Sequence, residues 1–174
     1  PEATELLGQQ GLLVETWSPL ADEPLPAACR ALVLPGGYPE LYAAELAGSR
    51  RSLQALRQAQ ASGLPIYAEC GGLLQRGSLS LGYRDATALQ DGLVVRRGER
   101  LCGHEFHRWQ LQESCLAPAE QLWQLEGWGS PARPEGWSRP QLHASWLHLH
   151  WGGCPAIPQR LAQAARRYAP SPCV

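Results

Sequence analysis

The chain predicts an α/β domain with helices packed on a parallel sheet, and three observations carry that expectation. Ala31-Leu32-Val33-Leu34 and Leu64 to Ala68 are short continuous apolar runs of strand length, the pattern of strands buried on both faces. Between them, Pro39 to Ser62 places Leu41, Leu46, Leu53, Leu56 and Ala59 close to one helical face, with Gly63 as the C-terminal stop. A second helix is expected from Gly71, directly after the second run, and strand, helix, strand, helix at this spacing builds a parallel sheet. One such domain accounts for 174 residues.

In chain order, Thr4 to Gly11 reads as the end of a helix, Leu12 to Trp17 as a short strand, and Ser18 to Pro26 as a turn-rich connection. The strand at Ala31 to Leu34 ends in Pro35-Gly36-Gly37. Residues 78–112 read as strands and turns, with hairpin character around Arg97-Gly98. Glu113 to Arg139 is rich in Gly, Pro, Ser and Trp and is expected to form a long surface excursion. A strand from Ala144 to Trp151 and a helix from Gln159 to Tyr168 close the chain, and no internal repeat is present.

Hydrophobic residues make up 44% of the chain and its mean hydropathy is −0.27, as in globular proteins. No apolar run approaches a membrane span, and PEATELLGQQ has neither the basic start nor the apolar stretch of a secretory signal, so a cytoplasmic protein is expected. A net charge of −1 argues against nucleic acid or an acidic membrane as partner. Six cysteines without a C-x-x-C pair argue against structural zinc. The chain contains no lysine, so it cannot supply an ATP-binding P-loop in its usual form.

Chemistry is expected at IYAECGGLL, Ile66 to Leu74. A cysteine on the sharp turn between a strand and a helix projects above the sheet, and glycines after it remove side chains that would collide there. A helix starting at Gly71 would aim its free N–H groups at the Cys70 sulfur, favouring thiolate and offering an oxyanion donor. A buried structural cysteine is the competing reading. Two other stretches favour the nucleophile. LPGGYPE, Leu34 to Glu40, ends the preceding strand in a bare Gly-Gly turn, so the N–H of Gly37 is a second oxyanion candidate beside that of Gly71. ASWLHLH, Ala144 to His150, puts His148 and His150 two residues apart on one side of a strand, and either is a candidate base. GHEFH, Gly103 to His107, holds His104, Glu105 and His107; spacing fixes no third metal ligand there, and no metal site is expected.

LPGGYPE, YAECGGL, GHEFH and ASWLHLH occur in the order seen in the cobyrinate a,c-diamide synthase family, and the chain resembles the C-terminal glutamine amidotransferase domain of that family along nearly its whole length. The resemblance implies a flavodoxin-like, class I glutamine amidotransferase fold, a mostly parallel sheet with helices on both faces. It implies Cys70 as nucleophile, His148 as general base, and His150 at the place where triad glutaminases usually carry the orienting Glu. Gly36, Tyr38, Glu105 and His107 are candidates for the glutamine pocket; for the residues of GHEFH the alternatives are a domain interface and solvated or core histidines. The reaction implied is hydrolysis of glutamine to glutamate, with ammonia passed on for amidation of the a and c carboxylates of cobyrinate in cobalamin biosynthesis. The implied partners are glutamine and a synthetase domain of the same enzyme with its corrinoid-precursor substrate; a homodimer is left open.

ATP and Mg2+ belong to that synthetase domain, so no cofactor is expected on this chain. By the same resemblance, the synthetase domain, a first strand before PEATELL and part of the segment between GGL and LGYRDA are absent here. The alternatives are a DJ-1/PfpI-like cysteine hydrolase, many of which carry His directly after the cysteine where Gly71 stands, and a non-catalytic remnant.

Overall fold

A computed structural model describes residues 2–70, 76–109, 117–127 and 129–169. The elements are helix α1 (Glu2–Gln9), strand β1 (Leu32–Leu34), helices α2 (Ala43–Gly48) and α3 (Arg50–Ala61), strands β2 (Ile66–Glu69), β3 (Arg76–Ala88), β4 (Arg100–Trp109), β5 (Gln121–Gly127), β6 (Ser130–Arg139), β7 (Leu142–Ser145) and β8 (His148–Leu149), and helix α4 (Ala156–Arg167). The strands form one eight-stranded sheet in the order β1-β2-β7-β6-β5-β3-β4-β8.

The fold is α/β, as expected, and its sheet is mixed. β1, β2 and β7 run parallel, with Leu32 opposite Ile66 and Glu69 opposite Ser145. The remaining pairings, from β7 through β6, β5, β3 and β4 to β8, are antiparallel. The apolar runs at β1 and β2 are the strands expected of them. A small cluster of Leu32, Ala59, Leu64 and Ile66 joins α3 to these strands, and a larger one around Tyr67, Leu122, Trp123, Leu125, Leu147, Ile157 and Leu161 fills the interior under α1 and α4.

Four local expectations are corrected. The helix expected from Pro39 to Ser62 is broken: a 3₁₀ turn at Pro39–Tyr42 leads into α2, and Ser49 interrupts the axis with ψ 70° before α3 begins. The Ser49 hydroxyl donates to the Glu45 carbonyl, and the Asp22 carboxylate accepts from the N–H groups of Arg51 and Ser52 at 2.7 and 3.1 Å. A carboxylate at those free N–H groups stabilises a new helix start. Leu12 to Trp17 forms no strand; Leu13 and Val14 lie exposed, because pairing requires a neighbouring strand and none of the described strands lies beside this segment.

The excursion expected over Glu113 to Arg139 is instead, from residue 121 on, the β5–β6 hairpin in the middle of the sheet, with Leu122, Trp123 and Leu125 fully buried. Pro131 and Pro134 misled the sequence reading, since proline removes a ladder donor. The strand expected from Ala144 to Trp151 is split into β7 and β8 by Trp146 and Leu147. The helix expected from Gly71 falls on residues outside the described ones, as do Cys115 and Cys173. The hairpin near Arg97-Gly98 is the β3–β4 turn, in which Gly98 takes φ +83°.

Candidate active site

The split between β7 and β8 determines where the site forms. In the sheet order β7 and β8 are five positions apart. In a flat sheet that separation is about 24 Å at ~4.8 Å per strand. Yet only Trp146 and Leu147 connect them, and three Cα steps of ~3.8 Å reach about 11 Å at most. The sheet therefore curls until its last strand returns to the carboxyl ends of β1 and β2. Glu135 of β6 holds the short crossover: its carboxylate accepts from the Ser145 hydroxyl at 2.7 Å and from the Trp146 N–H at 2.8 Å, and the Ser145 oxygen accepts from the Leu147 N–H at 3.0 Å.

Cys70 follows β2 directly and stands in the left-handed region with φ +55°, a conformation non-glycine residues adopt at a cost of order 1 kcal/mol or more. Its N–H donates to the Ser145 carbonyl at 2.8 Å, which pins the turn to the end of β7. This is the strand side of the elbow expected from the sequence; the helix expected after it lies outside the described residues. The curl sets His148 against it. Gly36 shows how closely: a Cβ added there would lie 3.0 Å from the Cys70 Cβ, 2.5 Å from His148 Cε1 and 3.3 Å from His148 Nε2. The Gly-Gly turn after β1 thus leaves the space that the cysteine and histidine share. Hydrogen bonding to the Cys70 sulfur, and then to Glu69, raises the His148 pKa to about 10 against the effect of partial burial. A histidine that stays charged at neutral pH favours thiolate on the neighbouring sulfur.

His148 Nδ1 lies 3.3 Å from Glu69 Oε2. The other Glu69 oxygen accepts from the Tyr67 hydroxyl at 2.5 Å and from the Leu149 N–H at 3.2 Å, and Tyr67 in turn accepts from Trp151 Nε1 at 3.1 Å. Burial first, then the Glu69 charge, hold the Tyr67 pKa well above its ordinary value, so the phenol remains a donor. His150, the expected occupant of the orienting position, points elsewhere: its side chain is 77% exposed, its Nε2 lies 3.4 Å from Glu2 and its Nδ1 accepts from the Gly153 N–H. Strand alternation across His148-Leu149-His150 does not survive, because β8 ends at Leu149.

Of the other expected site residues, Gly37 and Tyr38 lie exposed in the turn after β1, while Gly71 lies outside the described residues. Glu105 and His107 are interior. Glu105 is fully buried between Arg84 Nε at 2.8 Å, His107 Nε2 at 3.2 Å and Arg133, and the His107 ring stacks on Trp146 with centroids 4.7 Å apart. Burial alone would raise the Glu105 pKa; the His107 hydrogen bond and the Arg133 charge outweigh it and bring the pKa to about 2. With its oxygens closed off by these partners, Glu105 presents no open face to a ligand. His104 stands opposite His148 in the β4–β8 register and packs edge-on to Tyr83. Among the described residues no group of three His, Cys, Asp or Glu side chains is placed to hold a metal ion, and no helix is long and apolar enough to cross a membrane.

Sequence reasoning missed Glu69 and Glu135. Glu69 was legible in one respect, since Tyr67 and Glu69 are two apart on a strand and so share a face. Nothing in the sequence around Glu135 signals its role, because its partners on β7 become neighbours only through the sheet.

Residues 3–79 match the CobB/CobQ-like glutamine amidotransferase domain. Cobyrinate a,c-diamide synthases from Synechococcus sp. and Gloeobacter violaceus are each 41% identical over 188 and 189 aligned positions, covering 94% of this chain and 41% and 38% of theirs. Hydrogenobyrinate a,c-diamide synthase from Streptomyces coelicolor is 36% identical over 95% of the chain and 37% of its own length. The chain thus spans about two-fifths of the length of these relatives. The aligned positions outnumber its 174 residues, so the relatives carry residues that it lacks. The matched segment runs through β1, the Gly36-Gly37 turn and Cys70, and the wider alignment takes in nearly the whole chain, so the chain is similar to the CobB/CobQ-like glutamine amidotransferase domain over residues 3–79 and to the a,c-diamide synthases beyond them.

Proposed function

We propose that this domain hydrolyses the side-chain amide of glutamine through a Cys70 thioester and supplies the ammonia for ATP-dependent amidation of the a and c carboxylates of cobyrinate or hydrogenobyrinate. The observation that carries the reading is the left-handed Cys70 held against His148 in the space left by Gly36.

The Cys70 thiolate attacks the amide carbon, and the Gly37 N–H, with that of Gly71, receives the oxyanion. The His148 imidazolium gives its proton to the departing nitrogen, which leaves as ammonia and forms the thioester. Neutral His148 then takes a proton from water, whose oxygen attacks the thioester carbon; glutamate leaves and the imidazolium–thiolate pair is restored. Activation of the acceptor carboxylates by ATP and Mg2+ belongs to the synthetase portion. This lysine-free chain offers no P-loop for it, and no step here is routed through it. Work beside an ATP-dependent synthetase supports a cytoplasmic location for the domain.

The test is amidation in an enzyme carrying this domain together with its synthetase. Cys70→Ser is expected to abolish glutamine-dependent amidation while leaving amidation from added ammonium salts largely intact. An electrophilic glutamine analogue is expected to label Cys70 ahead of the other cysteines. Loss of both activities together in Cys70→Ser, with the fold retained, overturns the assignment.

A further inference from the structure

We propose that Glu69 is the residue that orients and charges His148, in the place that His150 was expected to fill; the inference rests on the glutaminase reading above. In a straight strand, consecutive side chains point to opposite faces, so neighbours such as Glu69 and Cys70 would not reach one imidazole. The left-handed φ of Cys70 removes that restriction by turning the chain between them. The result is a ring held from two sides: Nδ1 faces Glu69 Oε2 at 3.3 Å, and Nε2 lies on the Gly36 side, where Cys70 also lies.

Glu69 is itself fixed. Its second oxygen takes the hydrogen bonds of Tyr67 and of the Leu149 backbone, and Tyr67 is fully buried on a bond from Trp151. A donor chain thus runs from Trp151 through Tyr67 to Glu69, with Glu69 left to accept from His148. The Leu149 bond adds a further constraint. It ties the carboxylate at the end of β2 to the strand that carries the base, so the base and its partner move together. A carboxylate at Nδ1 keeps the Nε2 lone pair or proton aimed at the reacting atoms and stabilises the imidazolium, which is how an orienting residue acts without touching substrate. Glu69 is therefore a positioning residue. Among the described residues no comparable tie reaches His150, whose partners are Glu2 and Gly153.

The experiment pairs glutamate release with the pH profile of Cys70 alkylation by iodoacetamide, read at the Cys70 peptide by mass spectrometry. Glu69→Gln keeps the shape and removes the charge. It is expected to lower kcat for glutamate release at least tenfold with the KM for glutamine within about threefold, and to move the Cys70 alkylation profile to higher pH, because an unsupported imidazolium releases its proton earlier. Tyr67→Phe is expected to shift both readouts in the same direction by less, and Glu69→Asp to recover part of the loss. Circular dichroism checks that each variant folds. A wild-type protein that releases no glutamate, yet whose alkylation profile shifts in Glu69→Gln, supports the Glu69–His148 coupling and sinks only the glutaminase reading. Unchanged kcat and unchanged alkylation profile in folded Glu69→Gln overturn the inference, as does a loss produced by His150→Ala and not by Glu69→Gln.

Discussion

Cys70 is strained at the turn that follows β2. Its φ of +55° is inexpensive only for glycine, and the bond from its N–H to the Ser145 carbonyl holds it there. Replacement by glycine relieves the strain, whereas replacement by alanine keeps it. Both variants are expected to be inactive, with Cys70→Gly about 1 kcal/mol more stable than Cys70→Ala in urea denaturation. Equal stabilities would show that the turn costs nothing. At the same scale, the cysteine after β2, the Gly-Gly turn and the histidine pair of ASWLHLH each lie in a short contiguous pattern of the sequence, while the preference for His148 over His150 came from the family resemblance.

The β7–β8 crossover is the element on which the site depends, and Glu135 is its clamp. Removing the carboxylate leaves the Trp146 N–H and the Ser145 hydroxyl buried without their acceptor. Glu135→Ala is therefore expected to lose roughly 1–3 kcal/mol of stability and much of the activity, since the loosened crossover carries His148. Burial raises the Glu135 pKa to about 7, against hydrogen bonds from Ser145 and Trp146. A carboxyl group whose folded pKa lies above its unfolded one gives stability that is complete below about 4.5 and lost as pH rises through about 7. The stability difference between wild type and Glu135→Gln, from urea titrations between pH 4.5 and 8, is expected to shift against wild type across that window. His143, buried and held neutral by desolvation with its pKa near 3, contributes in the opposite sense as pH falls. It is present in both proteins and cancels in the difference.

At the scale of the whole molecule, the antiparallel wing must stay together for β8 to return to β2. The buried Glu105 ties β3, β4 and β6 through Arg84, His107 and Arg133. Deleting it strands Arg84 in the interior, and Glu105→Ala is expected to cost roughly 3–5 kcal/mol, the usual penalty for breaking a buried pair. Its folded pKa, near 2, lies below the unfolded value. The stability it contributes is therefore present above about pH 4.5 and lost as pH falls toward 2. Thermal unfolding followed between pH 5 and 2.5 is expected to show wild type losing its advantage over Glu105→Gln within that range. A constant advantage would contradict the assignment.

The sequence by itself determined the α/β class, strands β1 and β2, helices α1 and α4, the turn at Cys70 after β2 and the pair His148 and His150 as candidate neighbours of the cysteine. All of these rest on local periodicity, turn chemistry or contiguous motif, which a linear reading captures. Only the tertiary structure decided that Pro39 to Ser62 breaks at Ser49, since the cap on α3 comes from Asp22. The same holds for the segment from 121 to 139, a central hairpin despite its prolines, because the partners on β3 and β7 outweigh its loop-like composition. It alone separated Glu69 from His150 as neighbours of His148. Which carboxylate meets the imidazole depends on how far an eight-stranded sheet curls, and that curl is imposed by a two-residue crossover joining strands five places apart.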